Sequence, residues 1–241
     1  RDVEIFPVLR AIFERIQGKS PYQSPTDMGV NMAGFCITDD EACCDASRRE
    51  IVRRYFAAGC AKLRGSGEDA AVGKIEILME QAGVSPENRR SARAANALEA
   101  ATGKPAAAME LADGSVVTGK TKDLLGCASA MLLNALKTLE GIPDEVKLIA
   151  ERVIEPIQRL KVTSLHNRNP RLHTDEVLIA LAICAVDDEF AARAIAQLPR
   201  LKGLEAHASV LLSPVDEDTF RRLGVNLTCQ PKHETQRLFY R

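Results

Sequence analysis

The run His166-Asn167-Arg168-Asn169-Pro170-Arg171-Leu172-His173-Thr174-Asp175-Glu176 concentrates side chains that move protons, hold anions and cap helices, and it stands directly before ten apolar residues, Val177 to Val186. A polar loop fixed by a buried element can deliver side chains into a cleft while staying open to ligand. No carboxylate occurs from Gln158 through Thr174, whereas Arg159, Lys161, Arg168 and Arg171 lie in that interval, so positive potential is expected there. If Thr174 caps the apolar helix, the free N–H groups of its first turn and Arg168 or Arg171 could together hold a phosphate or carboxylate. Asp175 and Glu176 compete with such an anion, because acidic residues in a first turn already satisfy the helix dipole.

Histidine titrates near neutral pH, which makes His173 and His207 the candidate acid/base residues. His173 and Glu176 share a face if the helix begins early, and Glu205 and His207 share one face of a strand. These four would form a mixed metal or acid/base site only if their elements meet. No established ligand spacing marks them, and isolated histidines are more often hydrogen-bonded structural groups, so no metal is assigned and no cofactor is named.

Gly114-Ser115-Val116-Val117-Thr118-Gly119-Lys120-Thr121 matches the phosphate-loop pattern G-x-x-x-x-G-K-[ST] letter for letter. A true phosphate loop follows a strand and curls its variable residues around an anion. Here β-branched Val116 and Val117 favour extended backbone and read as the return strand of a hairpin turning at Asp113-Gly114. No nucleophile elbow and no dinucleotide fingerprint occurs.

The elements that must position these groups follow from hydrophobic period and punctuation. Helices are expected over Ile5 to Ile16, from a Thr38/Glu41 capping box to Leu63, over Val72 to Ala82, and from Ser85-Pro86 to Gly103. The proline-bearing stretch Ser20 to Asp27 separates the first two as a loop. A hairpin follows from Ala106, then a helix over Thr121 to Leu139. After Pro143 the elements alternate: a strand at Val146 to Ile149, a helix at Arg152 to Leu160, the polar loop, a buried helix to Val186 and a helix from Asp188 to Leu198. A strand at Glu205 to Leu212, a helix at Val215 to Leu223 behind Ser213-Pro214 and a strand at Val225 to Cys229 complete the chain. The fold class is α+β. A helical subdomain at 1–104 precedes a hairpin-plus-helix unit at 105–142 and a small α/β subdomain at 143–241.

With 32 basic and 33 acidic residues among 241 the chain is near neutral, which removes the global electrostatic argument for nucleic acid or an anionic membrane. The longest apolar run is half of what a membrane span requires. Seven cysteines, an odd number with no C-x-x-C pair, mostly fall in apolar helical patterns, as reduced cytoplasmic thiols do. The start at Arg1-Asp2-Val3-Glu4 carries neither Met nor a signal pattern and reads as an internal beginning, that of a fragment.

Four segments carry a resemblance: Arg1 to Leu9, Gly18 to Met32, Asp113 to Thr121 and Asn169 to Leu181. They are similar to the UPF0371 family, also called DUF1846, along nearly the whole chain. The resemblance implies a bacterial cytosolic protein about twice this length, of which this chain would be the C-terminal half, with an absent N-terminal α/β domain as its partner. It also implies a C-terminal topology akin to cytidine deaminases, but no activity. The H-x-E and P-C-x-x-C zinc ligands of that chemistry are missing here, since His173-Thr174-Asp175-Glu176 has the wrong spacing and Cys229 stands alone.

Two functions are consistent with these features. One is an enzyme domain for a small anionic or phosphorylated metabolite, with Arg168, Arg171 and Thr174 on the anion and His173 or His207 moving protons. The other is a non-catalytic module whose apolar helices join copies into a homo-oligomer.

Overall fold

A computed structural model describes residues 2–22 and 40–234. The Thr38 half of the expected capping box and the proline loop beyond Tyr22 lie outside the described residues. The chain forms two compact units, residues 1–89 and 90–241.

In the first unit, helices α1 (Asp2–Gln17), α2 (Asp40–Leu63) and α3 (Asp69–Ala82) precede a 3-10 turn at Pro86–Asn88. Ile51 of α2 and Met79 of α3 form a small core against which Tyr55, Ile75 and Leu78 pack. α3 stops at Gly83, whose left-handed φ of 63° lets its N–H reach back to the last turn. The helix expected to open at Ser85 is instead broken. Asn88 folds back onto the Ser85 N–H at 2.6 Å, Arg89 is extended, and α4 (Arg90–Thr102) begins after it, in the second unit.

The second unit continues with β1 (Ala106–Glu110), β2 (Val116–Lys120), α5 (Cys127–Glu140), α6 (Glu151–Arg159) and a π-helical turn at Leu160–Ser164. There follow α7 (Thr174–Cys184), α8 (Glu189–Ile195), β3 (Glu205–Ala208), α9 (Pro214–Arg222) and β4 (Asn226–Cys229). The strands form one sheet in the order β2-β1-β3-β4, with β1 antiparallel to β2 and β3, and β3 parallel to β4. The protein is therefore α+β, and the hairpin shares its sheet with the two C-terminal strands.

Ala106 through Met109 are all fully buried. Successive strand residues face opposite sides, so both faces of β1 are covered, and α4 and α5 both pack on β1 and β2. The hairpin turns where expected: Gly114 has φ 80°, and Asp113 accepts from the Ser115 N–H at 2.9 Å and its hydroxyl at 2.6 Å. The phosphate-loop letters are accordingly spread over a turn, a strand and a helix approach.

Other elements also differ from expectation, and β3 ends at Ala208 rather than Leu212. Val146 to Ile149 is not a strand; Leu148 and Ile149 are buried without pairing, so the run satisfies its apolar character as a packed connector. α5 starts at Cys127 rather than Thr121, because the Lys122 N–H turns back to the Leu125 carbonyl and the Thr121 hydroxyl takes the Cys127 N–H. α7 is buried on one face only: Val177, Ala180 and Leu181 are in the core, whereas Ile179 and Ile183 are 60% and 59% exposed. No helix among the described residues is long and apolar enough to cross a membrane.

Candidate functional site

The polar loop is built by local side-chain acceptors. Asn167 Oδ1 takes the Asn169 N–H at 3.0 Å, and Asn169 Oδ1 takes the Arg171 N–H at 3.1 Å. These are the turns for which asparagine is suited. Leu172, buried, then locks the loop to the body: its N–H donates to the Leu124 carbonyl at 3.2 Å and its own carbonyl accepts from Ser129 Oγ at 3.1 Å. Lys161, also buried, reaches under the loop and donates to the Arg171 carbonyl at 2.7 Å and to Glu176 Oε2 at 2.6 Å.

His173 is thereby held as the N-cap of α7, where its backbone N–H donates to Glu176 Oε2 at 2.8 Å. Its ring meets Asp216, which lies in the first turn of α9 and is buried. Asp216 has four donors. The Thr174 N–H and hydroxyl lie 2.8 and 2.9 Å from Oδ1, and Ser213 Oγ and His173 Nδ1 lie 2.7 and 3.0 Å from Oδ2.

Burial pushes the Asp216 carboxyl up, but the hydrogen bonds from His173, Ser213 and Thr174 outweigh it and the net shift is downward. The bond to Asp216 holds His173 above the ordinary histidine range, against the opposing effect of its own burial. A carboxylate on Nδ1 fixes the orientation of the ring. Ser213 lies on the same side of the ring, 3.2 Å from Nδ1, with its hydroxyl directed at Asp216. The imidazole does not stand between serine and aspartate, so this is no nucleophilic triad.

A cavity of about 50 Å³ opens beside the pair, lined by Thr121, Cys127, Ser129, Arg171 and Ser213 among others. It has room for one or two waters or the end group of a substrate. Burial pushes the Cys127 thiol up to about 12, so the sulfur is protonated at neutral pH and is no thiolate nucleophile.

The other residues singled out in the sequence are placed as follows. Thr174 is buried, and its N–H goes to Asp216. Arg171 pairs with Glu234 at 2.7 Å, and Arg168 is exposed. His207 is fully buried in β3 with Nδ1 2.8 Å from the Thr228 hydroxyl of β4, and Glu205 accepts from Asn226 at 3.0 Å. The carboxylate-free interval is filled in space, since Glu176 and Glu234 reach Lys161 and Arg171. Among the described residues, no three His, Cys, Asp or Glu side chains are grouped to hold a metal ion. Asp216 is the residue that sequence reasoning missed. Its signal was the S-x-x-D capping pattern of Ser213-Pro214-Val215-Asp216, a helix start whose acid also serves a second helix.

Two family models match this chain: the N-terminal domain of unknown function DUF1846 over residues 1–83, and the C-terminal domain of unknown function DUF1846 over residues 87–239. A UPF0371 protein of Corynebacterium urealyticum is 51% identical over 239 residues, one of Corynebacterium efficiens 52% and one of Streptococcus pneumoniae 50%. Each alignment covers 99% of this chain and 48% of the relative, so the chain spans about half the length of the curated relatives it matches. Residues 1–83 match the N-terminal model, so the expected assignment of the chain to the C-terminal half alone is corrected. On these matches, the chain belongs to the DUF1846 (UPF0371) family.

Proposed function

We propose that residues 90–234 form an enzyme domain in which His173, oriented by Asp216, moves protons on the end group of a small anionic or phosphorylated metabolite. The observation that carries this reading is the buried Asp216 carboxylate, which aligns an imidazole at the wall of a polar cavity. The Thr174 N–H is committed to Asp216, so the substrate's anion is held by guanidinium groups, with Arg171 exchanging Glu234 for the substrate and Arg168 approaching from solvent. Proton transfer falls to His173 rather than to His207, which is enclosed in the sheet. The odd number of cysteines, with no C-x-x-C pair, supports a cytoplasmic location.

The test is an NMR pH titration of the His173 ring with and without inorganic phosphate. Phosphate is expected to raise its titration midpoint in the wild type and to have no effect in Arg171→Ala. A midpoint that phosphate leaves unmoved in the wild type would end this reading.

A second reading is a non-catalytic assembly module. Ile179 and Ile183, one turn apart on α7, and Val186 just beyond it support it, because all three are exposed. On that reading the chain sediments as a dimer and Ile179→Ser with Ile183→Ser returns it to a monomer, whereas wild-type sedimentation as a monomer excludes it.

A further inference from the structure

A second cavity, of about 640 Å³, lies between β2, α5, α6 and the connector that precedes α6. Its size is that of a small-molecule site. Much of its wall is aliphatic, with Leu98, Leu133, Ile149 and Ile154 contributing. Its polar wall is mainly cationic: Lys120, Lys122, Lys137 and Lys147 face Asp123 and Glu151. Lys147 is satisfied by Glu151 at 2.7 Å.

Lys137 is different. It is 6% exposed, and its ammonium donates to the neutral Asp144 carbonyl at 2.6 Å, with no carboxylate in ion-pair range among the described residues. A cation withdrawn from water without a counter-charge is unfavourable, and an anion in the adjoining space relieves it. Asn134, one turn earlier on α5, donates to the Thr118 carbonyl at 2.9 Å and ties this face of the helix to the edge strand that carries Lys120. Lys120 is half-buried, and it too has no ion-pair partner among the described residues.

We infer that this cavity binds a small amphipathic anion, with its aliphatic body against the leucine and isoleucine wall and its acidic group on Lys137 and Lys120. Aliphatic surface excludes a bare inorganic anion as the natural occupant, and the lysines exclude a neutral or cationic lipid. The site is separate from the His173–Asp216 pair and does not rest on that pair's proposed role.

Isothermal titration of the chain with decanoate, decyl phosphate and decyl glucoside, each below its critical micelle concentration, tests the inference. One or both anionic probes are expected to bind and the neutral glucoside is not; the tighter of the two anions identifies the acidic group as carboxylate or phosphate. Lys137→Met is expected to weaken anion binding about tenfold or more, and Lys120→Met, whose side chain has no hydrogen bond among the described residues, to weaken it about threefold or more with an unchanged melting curve. Equal binding of glucoside and anion, no binding of either anion, or unaltered anion affinity in a folded Lys120→Met protein would each overturn the inference.

Discussion

Asp216→Ala is expected to lower the unfolding free energy of the protein by about 3–5 kcal/mol, because it removes a buried carboxylate from an ion pair and strips four donors of their acceptor. Those donors are the Thr174 N–H, the Thr174 and Ser213 hydroxyls and His173 Nδ1. Asp216 also joins α9 to α7, so its loss frees the start of the helix that carries His173. Asp216→Asn keeps one acceptor oxygen for Thr174 and is expected to lose less. The pH dependence has a definite sign. The Asp216 carboxyl is lowered by folding, so its stabilisation is present above the ordinary aspartate value of about 3.9 and is lost as pH falls through the lower folded value. The His173 imidazole is raised, so its stabilisation is full below about 6.5 and is lost as pH rises through the higher folded value. Urea denaturation of wild type and variant should therefore differ most between about pH 4 and 6.5, and by less on either side. A difference below about 1 kcal/mol, or one that does not change with pH, would contradict the assignment of Asp216 as the buried hub of this site.

The second large effect is expected at Gly119. A Cβ built there would clash with Met131 N and lie 2.7 Å from the Ala130 carbonyl carbon and Met131 Cα, all backbone atoms of α5. Backbone cannot rotate aside as a side chain can, so Gly119→Ala must push α5 off β2 or distort the edge of the sheet. Overpacking of a core commonly costs about 1–3 kcal/mol, and this clash belongs at or above the upper end. Gly126→Ala is the matched control: its φ is −70° and a Cβ would meet nothing within 4 Å, so it should change stability by less than about 1 kcal/mol. Thermal melts of the two variants decide the matter, and equal melting temperatures would mean that α5 does not seat on β2 as closely as described.

Gly119 also explains the phosphate-loop letters without a phosphate. The glycine admits a helix backbone, Lys120 completes a strand, and the Thr121 hydroxyl receives the first N–H of α5. A pattern of eight letters states which residues follow one another, whereas an anion nest requires a particular backbone path. Val116 and Val117 had already pointed to the extended one.

What was local in the sequence was legible. The Asp113-Gly114 turn, the helix ends at Gly83 and Gly141, and the N-cap at Ser213 follow from φ preferences and short-range hydrogen bonds that act within a few residues. The same holds for the loop before α7, where asparagines two residues apart prescribe its turns. The strand signal at Val146 to Ile149 failed for a complementary reason. Apolar β-branched residues specify burial, and only the presence of an unpaired edge alongside turns burial into a ladder.

By itself, then, the sequence determined a mixed α+β chain, a hairpin, the polar loop at His166 to Glu176 and its attachment to an apolar helix, because propensity and period are properties of neighbours in the chain. Tertiary structure alone decided which groups meet across it. Thr174 and Asp216 are 42 residues apart, His173 and Asp216 43, and Arg171 and Glu234 63. A buried carboxylate takes whichever donors the packing of α7 against α9 presents, and no spacing rule encodes that choice. For the same reason Lys161 and Arg171 of the positive interval meet carboxylates in space, and the histidine worth testing is the one that Asp216 holds.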